Sequence, residues 1–316
     1  MFILCADIAF SRWQKVTASA AYALSAVPWF ATILDNDGLN YDQAGRTRGQ
    51  ERSMSPVIRL EYRNVTMRFA QASGQALTAI QDVSLSVRDG EVVSLIGPSG
   101  CGKSTLLNIG SGLYAPSEGQ AFVDGERVEG PNAHVAFMLQ KDLLLPWRTI
   151  AENVMFGVEI QGLPQAERKR RAQALLESLG LADFAGHYPH QLSGGMRQRV
   201  ALARTLAVDP SVLLLGEPFS AVDAQTRMVL QRELAQTLKR AGKTALLITH
   251  DLLEAVTLSD RVLVMSRRPG RIIDEIVVDI PDRDDPLARR KDAKVNAYVN
   301  RLMERLGIGE TERASA

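Results

Sequence analysis

Glu91-Val92-Val93-Ser94-Leu95-Ile96-Gly97-Pro98-Ser99-Gly100-Cys101-Gly102-Lys103-Ser104-Thr105 reads as a buried strand, a glycine-rich turn and the start of a helix. From Gly97 to Ser104 it matches the phosphate-loop pattern G-x-x-x-x-G-K-[ST], in the strand-to-helix context that the pattern requires. Glycines let successive backbone N–H groups converge on phosphate oxygens, and the helix N-terminus adds partial positive charge. In such a loop Lys103 reaches the β- and γ-phosphates and the Ser104 hydroxyl ligates Mg²⁺. Gly97, Pro98, Ser99, Gly100, Cys101, Gly102, Lys103, Ser104 and Thr105 are therefore the candidate nucleotide contacts. Cys101 reads as a small residue tolerated in the loop, with a thiol open to alkylation or oxidation.

Outward from the loop, strand and helix patterns alternate, which predicts an α/β domain. Short alternating runs at Val57–Phe69 and Leu77–Val87 predict an antiparallel pair ahead of the loop. Buried-type strands are expected at His134–Leu139, Val212–Leu215, Thr244–Thr249 and Arg261–Met265, and a helix at Lys103–Gly112. Residues 149–208 read as mostly helical, a helical subdomain (about 141–208) inserted into a sheet. Within it Arg168-Lys169-Arg170-Arg171 reads as a solvated face opposite the stripe Ala172, Leu175, Leu176 and Leu179. Residues 285–306 read as one amphipathic helix carrying Val295, Val299, Leu302 and Leu306.

The chain has 316 residues, 46% hydrophobic and 23% charged, with a net charge of +1. That balance leaves no electrostatic footprint for nucleic acid. Two cysteines, Cys5 and Cys101, are too few for a disulfide framework. Residues 1–53 are aromatic-rich and include Trp13 and Trp29. Their uncharged stretch Val16–Leu34 has about the length of a membrane span but is weakly apolar and contains Pro28. They read as an N-terminal extension, disordered or spurious, with an anchor as the alternative and Met54 as the working start. The domain plan is thus 1–53, a nucleotide-binding domain at 54–280, and a helical tail at 281–316.

Leu192-Ser193-Gly194-Gly195-Met196-Arg197-Gln198 resembles the signature motif of ABC transporter ATPases, and the resemblance spans about residues 57–280. It implies a P-loop NTPase fold of the ABC type, with an antiparallel β subdomain and an inserted helical subdomain. Phe69 stands where the family stacks an aromatic on adenine, and Gln140 where it has the Q-loop glutamine. Glu217 resembles the catalytic glutamate, Ser220-Ala221-Val222-Asp223 the D-loop, and His250 the switch histidine. The resemblance implies that Glu217, His250, Gln140 and Lys103 serve catalysis, with Ser104 and Gln140 at Mg²⁺. It also implies that ATP is sandwiched between two subunits, the partner capping the γ-phosphate with Ser193, Gly194 and Gly195, and Asp223 nearby.

One position departs from the pattern. In Leu213-Leu214-Leu215-Gly216-Glu217-Pro218 a glycine stands where the family has aspartate. Either water replaces that carboxylate at weaker Mg²⁺ affinity, or the chain binds ATP and hydrolyses it poorly.

Leu143-Leu144-Leu145-Pro146-Trp147-Arg148-Thr149 and Arg268-Pro269-Gly270-Arg271-Ile272 resemble segments of the nitrate, sulfonate and taurine importer ATPases. Trp147 is either core or part of an exposed apolar docking patch. The resemblance implies a second ATP-binding subunit, separate membrane-spanning permease subunits and, indirectly, a periplasmic solute-binding protein. It places the chain peripherally on the cytoplasmic face of a bacterial inner membrane. A nucleic-acid role is disfavoured, because 96 residues from Gly97 to Ser193 leave no room for the long insertion of DNA-repair relatives.

Overall fold

The computed structural model of the chain describes residues 57–70, 76–220 and 222–308. The expectations for residues 1–53 lie outside the described residues, as do Cys5 and Ala221.

Two long strands open the fold, β1 (Ile58–Ala70) and β2 (Ala76–Arg88), paired antiparallel with Tyr62 opposite Leu85. Their alternation buries Leu60, Tyr62, Val65, Val83 and Val87 on one face. β3 (Val92–Ile96) is fully buried and leads through the phosphate loop into α1 (Lys103–Gly110). The hydroxyl of buried Tyr62 donates to Leu106 O at 2.8 Å, which fastens the antiparallel sheet to α1. Next come β4 (Glu118–Val123), β5 (Glu126–Arg127) and β6 (Val135–Met138).

The helical insertion follows, as α2 (Ile150–Ile160), α3 (Gln165–Ser178) and α4 (Gly194–Ala207). The chain then returns through β7 (Val212–Gly216), α5 (Ala224–Arg240), β8 (Thr244–Ile248), α6 (Leu252–Leu258), β9 (Arg261–Met265) and β10 (Ile272–Val277). It ends in α7 (Pro286–Arg289) and α8 (Lys294–Leu306).

One sheet has the order β2-β1-β4-β5, the other β10-β9-β3-β8-β7-β6. The second is parallel from β9 to β6, and its buried strands read as continuous apolar runs because both faces are covered. Val212 and Leu214 of β7 face Leu106, Leu107 and the antiparallel sheet, while Leu213 and Leu215 face the helical side. The loop, the helical insertion and the antiparallel pair stand where the sequence puts them.

Arg170 and Arg171 pair with Glu167 while Ala172 and Leu176 are buried, so the basic run is a solvated face. The single helix read at 285–306 is two. Arg289 is buried and donates to Ser259 O and Pro281 O, which pins α7, and the Asp292 carboxylate accepts from Lys294 N where the helix breaks. β4 and β10 are not anticipated, because their exposed polar faces break the apolar alternation.

Candidate functional site

Parallel strands end in crevices at their carboxyl edge, and every loop singled out for catalysis leaves that edge. The phosphate loop leaves β3. Gly100 (φ 74°) and Gly102 (φ 108°) adopt the left-handed region there. A side chain at Gly102 would place its Cβ 2.3 Å from Ile80 Cγ2, so glycine is required by space as well as by conformation. Buried Lys103 donates from Nζ to Gly97 O at 2.6 Å and Pro98 O at 3.0 Å. Both are backbone carbonyls at the start of the loop, so the ammonium is turned back over it. Cys101 is buried and free, and the Lys103 ammonium lies 3.8 Å from its Sγ.

Gln140 follows β6, Glu217 follows β7 and His250 follows β8, three neighbours in the sheet. Gln140 Nε2 donates to Glu217 Oε2 at 2.8 Å, and His250 Nδ1 lies 3.4 Å from the same oxygen. Glu217 has φ 50°, an unusual conformation for a residue with a Cβ. Its N–H donates to Ile248 O at 2.9 Å, and the Ser220 hydroxyl donates to its carbonyl at 3.1 Å. Bonds to its main chain on both sides thus hold the turned backbone that presents the carboxylate.

Mg²⁺ takes hard oxygen ligands and keeps water or substrate phosphates in the rest of its shell. The Ser104 hydroxyl is exposed on the first turn of α1 and the Gln140 amide oxygen is available, so the donor set fits that ion. Gly216 adds no oxygen. A Cβ there would lie 3.2 Å from Met138 O, 3.5 Å from Gln140 N and 3.6 Å from Leu107 Cδ1, between the end of β6 and α1. Among the described residues no group of three His, Cys, Asp or Glu converges on a metal position.

Ser193 caps α4 and its Oγ accepts from Met196 N at 3.3 Å, leaving the hydroxyl proton free to donate. A Cβ at Gly195 would lie 3.5 Å from Val222 Cγ1, so the signature turn rests on the start of α5. Asp223 caps α5, and the amide of Thr226 holds its carboxyl below the usual range. Among the described residues no hydrogen bond joins Ser193, Gly194, Gly195 or Asp223 to the phosphate loop of the same chain. Half-buried Phe69 packs edge-on against Tyr114, centroids 5.9 Å apart, close to Met67, which pairs with Ile80 beside Gly102.

The segment after Gln140 is shaped from beneath. Buried Asn153 accepts from Leu145 N and donates to Leu145 O, Arg148 O and Thr149 O. Arg148 is drawn away by Glu159 and the face of Phe156. That leaves Trp147 72% and Leu143 54% exposed, which settles Trp147 as surface rather than core. From α4, Arg204 donates to Leu143 O and Asp142 O, Arg197 pairs with the Asp142 carboxylate, and Gln198 donates to Gln140 O. The helix that presents Ser193 therefore also grips the Gln140–Leu143 segment. Asn153 and Arg204 carry no motif of their own, and only their buried bonds reveal them.

A third residue was not singled out by sequence. Glu254, buried on α6, lines a small cavity with Glu217, Ser220, Arg227, Thr249 and His250. Burial, then repulsion from Asp251, pushes its carboxyl from 4.5 up to about 7. The folded state binds the proton more tightly, so the stabilising share is full below the ordinary pKa and is lost as pH rises through about 7. Between those limits the loss is on the order of 3 kcal/mol. Glu254→Gln, which keeps an acceptor for the Gln231 amide, is expected to flatten the fall in melting temperature between pH 5 and 8. A variant as pH-sensitive as the parent would assign the slope elsewhere.

A family profile described as ABC transporter matches residues 80–220. An uncharacterised ABC transporter ATP-binding protein of Methanocaldococcus jannaschii is 46% identical, covering 71% of this chain and 83% of the relative. A taurine import ATP-binding protein of Jannaschia sp. is 45% identical over 79% of this chain and 93% of its own length. Another, of Roseobacter denitrificans, is 46% identical over 67% and 80%. Among solved structures, a dimeric ATP-binding cassette in a post-hydrolysis state with ADP and phosphate is similar at TM-score 0.64 and 32% identity, covering 70% of this chain and 99% of that one.

Proposed function

The chain belongs to the ABC transporter family as an ATP-binding, ATP-hydrolysing subunit, and from that membership we propose that it energises import of a small anionic solute through a separate membrane permease. The solute is of the taurine, sulfonate or nitrate type, supported by relatives named as taurine import ATP-binding proteins. The chain works as a homodimer, peripherally on the cytoplasmic face of a bacterial inner membrane, with a periplasmic solute-binding protein delivering cargo from the far side.

The observation that carries the reading is the exposure of Leu143 and Trp147 on a segment whose Leu143 end is gripped by α4. An apolar patch rimmed by polar groups marks a docking site. Here it receives the permease, and Gln198 and Gln140 carry any displacement to the Glu217 carboxylate.

Hydrolysis follows from charge. Lys103 leaves its loop carbonyls for the β- and γ-phosphates, and the loop amides stabilise the charge that spreads over the γ-phosphoryl oxygens. Glu217, steadied by Gln140, takes a proton from the attacking water. His250 holds the γ-phosphate and helps orient that water. Phe69 stacks on adenine. Ser193 and the amides of Gly194 and Gly195 open α4 and cap the γ-phosphate held by the second copy, with Asp223 at the same face. Mg²⁺, when bound through Ser104 and Gln140, supplies neutralisation of the phosphate charge. The comparisons lend no support to a hydrolysis-impaired subunit.

The test is co-expression with candidate permease chains and recovery of the complex from membranes. Trp147→Ala is expected to lower recovery at least about tenfold, since an aromatic anchor of this kind is worth roughly 2 kcal/mol or more, while ATP binding by the purified chain persists. Recovery with ribosomes or DNA instead would overturn the transport reading.

A further inference from the structure

The turn between β9 and β10 is tied to the phosphate loop more closely than a connection between two strands requires. Ser266 closes the turn, its N–H donating to Arg271 O and its hydroxyl accepting from Arg271 N. Gly270 stitches the turn to β2, donating to Ala79 O and accepting from Gln81 N, both at 2.9 Å. It also lies so near the loop that a Cβ there would stand 2.0 Å from Cys101 O. At the loop's other end, a Cβ on Gly97 would meet Met265 Cβ at 2.9 Å, so the end of β9 backs the loop as well.

On this platform stands Arg268. Its Nε and Nη2 both donate to Gly100 O, at 3.1 and 3.0 Å, and among the described residues no carboxylate pairs with it. A guanidinium that spends two donors on one backbone carbonyl fixes that peptide plane and polarises it. The other end of the same peptide is the Cys101 N–H, one of the loop amides. In this structure that amide makes only a long 3.3 Å bond to Pro98 O. Lys103 also sits on loop carbonyls, but it belongs to the helix and is free to transfer to substrate, whereas Arg268 grips the loop from outside.

We propose that Arg268 is a positioning residue for polyphosphate binding: held on the β9–β10 turn, it clamps Gly100 and sharpens the Cys101 amide as a phosphate donor. The inference rests on the phosphate loop taking ATP, which the unaltered chain tests separately.

The experiment measures binding of ATP, by fluorescence of a labelled analogue displaced by ATP, to the full chain and to Arg268→Ala, Arg268→Lys and Arg267→Ala. Unliganded melting temperature is recorded for each. Loss of a charge-assisted hydrogen bond corresponds to about a tenfold rise in Kd. Arg268→Ala should show that rise, Arg268→Lys should recover part of it, and Arg267→Ala, which removes the same charge one residue away, should stay within about twofold. In the permease complex the Arg268→Ala KM for ATP should rise by the same factor, with a smaller fall in kcat, as for a group that acts on binding. Unaltered affinity in Arg268→Ala overturns the proposal, as does an equal loss in Arg267→Ala or a lysine variant no better than alanine. Failure of the unaltered chain to bind ATP would instead overturn the functional reading beneath it.

Discussion

Glu217→Gln is expected to keep ATP bound and to lower kcat by about 10²–10³-fold, the scale of losing one preorganised polar group at a reacting centre. The substitution is isosteric, so the left-handed backbone at 217, its bond to Ile248 O and the Ser220 contact all survive. What it removes is the anionic oxygen that Gln140 Nε2 and His250 Nδ1 share. The neighbouring groups then have a neutral amide to face, and the carboxylate proposed as the base for the attacking water is gone. Phosphate release by the permease complex and ATP affinity of the purified chain read the two effects apart. Turnover at the parent's rate would place the base elsewhere.

Gly216→Asp is expected to raise turnover about tenfold or more at limiting Mg²⁺, and much less at saturating Mg²⁺, because on the proposed reading a carboxylate there adds negative charge near the cation. The backbone permits it. The contact of the new Cβ with Met138 O, at 3.2 Å, asks the end of β6 to give by a few tenths of an ångström. The new side chain starts between the end of β6, which leads to Gln140, and α1, on whose first turn Ser104 stands. A magnesium titration of ATP turnover in both proteins checks this. Equal turnover at low Mg²⁺ would mean that water already fills the carboxylate's place without penalty.

Much of this architecture was legible because it rests on local rules. The phosphate loop reads directly: Gly100 and Gly102 are needed for their backbone angles, and Lys103 and Ser104 follow at fixed offsets. The strand ends carrying Gln140, Glu217 and His250 read well, because apolar runs of about five residues stop abruptly at polar ones. What stayed hidden depends on contacts between distant segments. Nothing around Asn153 says that it will hold four backbone groups of a neighbouring loop. Arg204 and Arg268 look like ordinary surface arginines until the carbonyls they hold are in place. Glu254 sits on a helix whose polar side would ordinarily face water, and its burial beside Gln231 of α5 and the loops carrying Glu217 and His250 shows only in the folded chain. The break at Arg290–Ala293 was masked because the apolar spacing continues across it while Asp292 diverts the backbone.

The order of the parallel strands has a mechanical consequence. β3, which leads into the Gly97–Ser104 loop, is flanked on both sides by β9 and β8, whereas β6, which leads to Gln140, is a four-residue edge strand with β7 as its one neighbour among the described residues. A pull arriving through α4 therefore meets its weakest resistance at β6. On the proposed reading such a pull draws the glutamine off Glu217 while the Gly97–Ser104 loop keeps its place, so that retention of the nucleotide and its consumption come apart like a clutch from its engine.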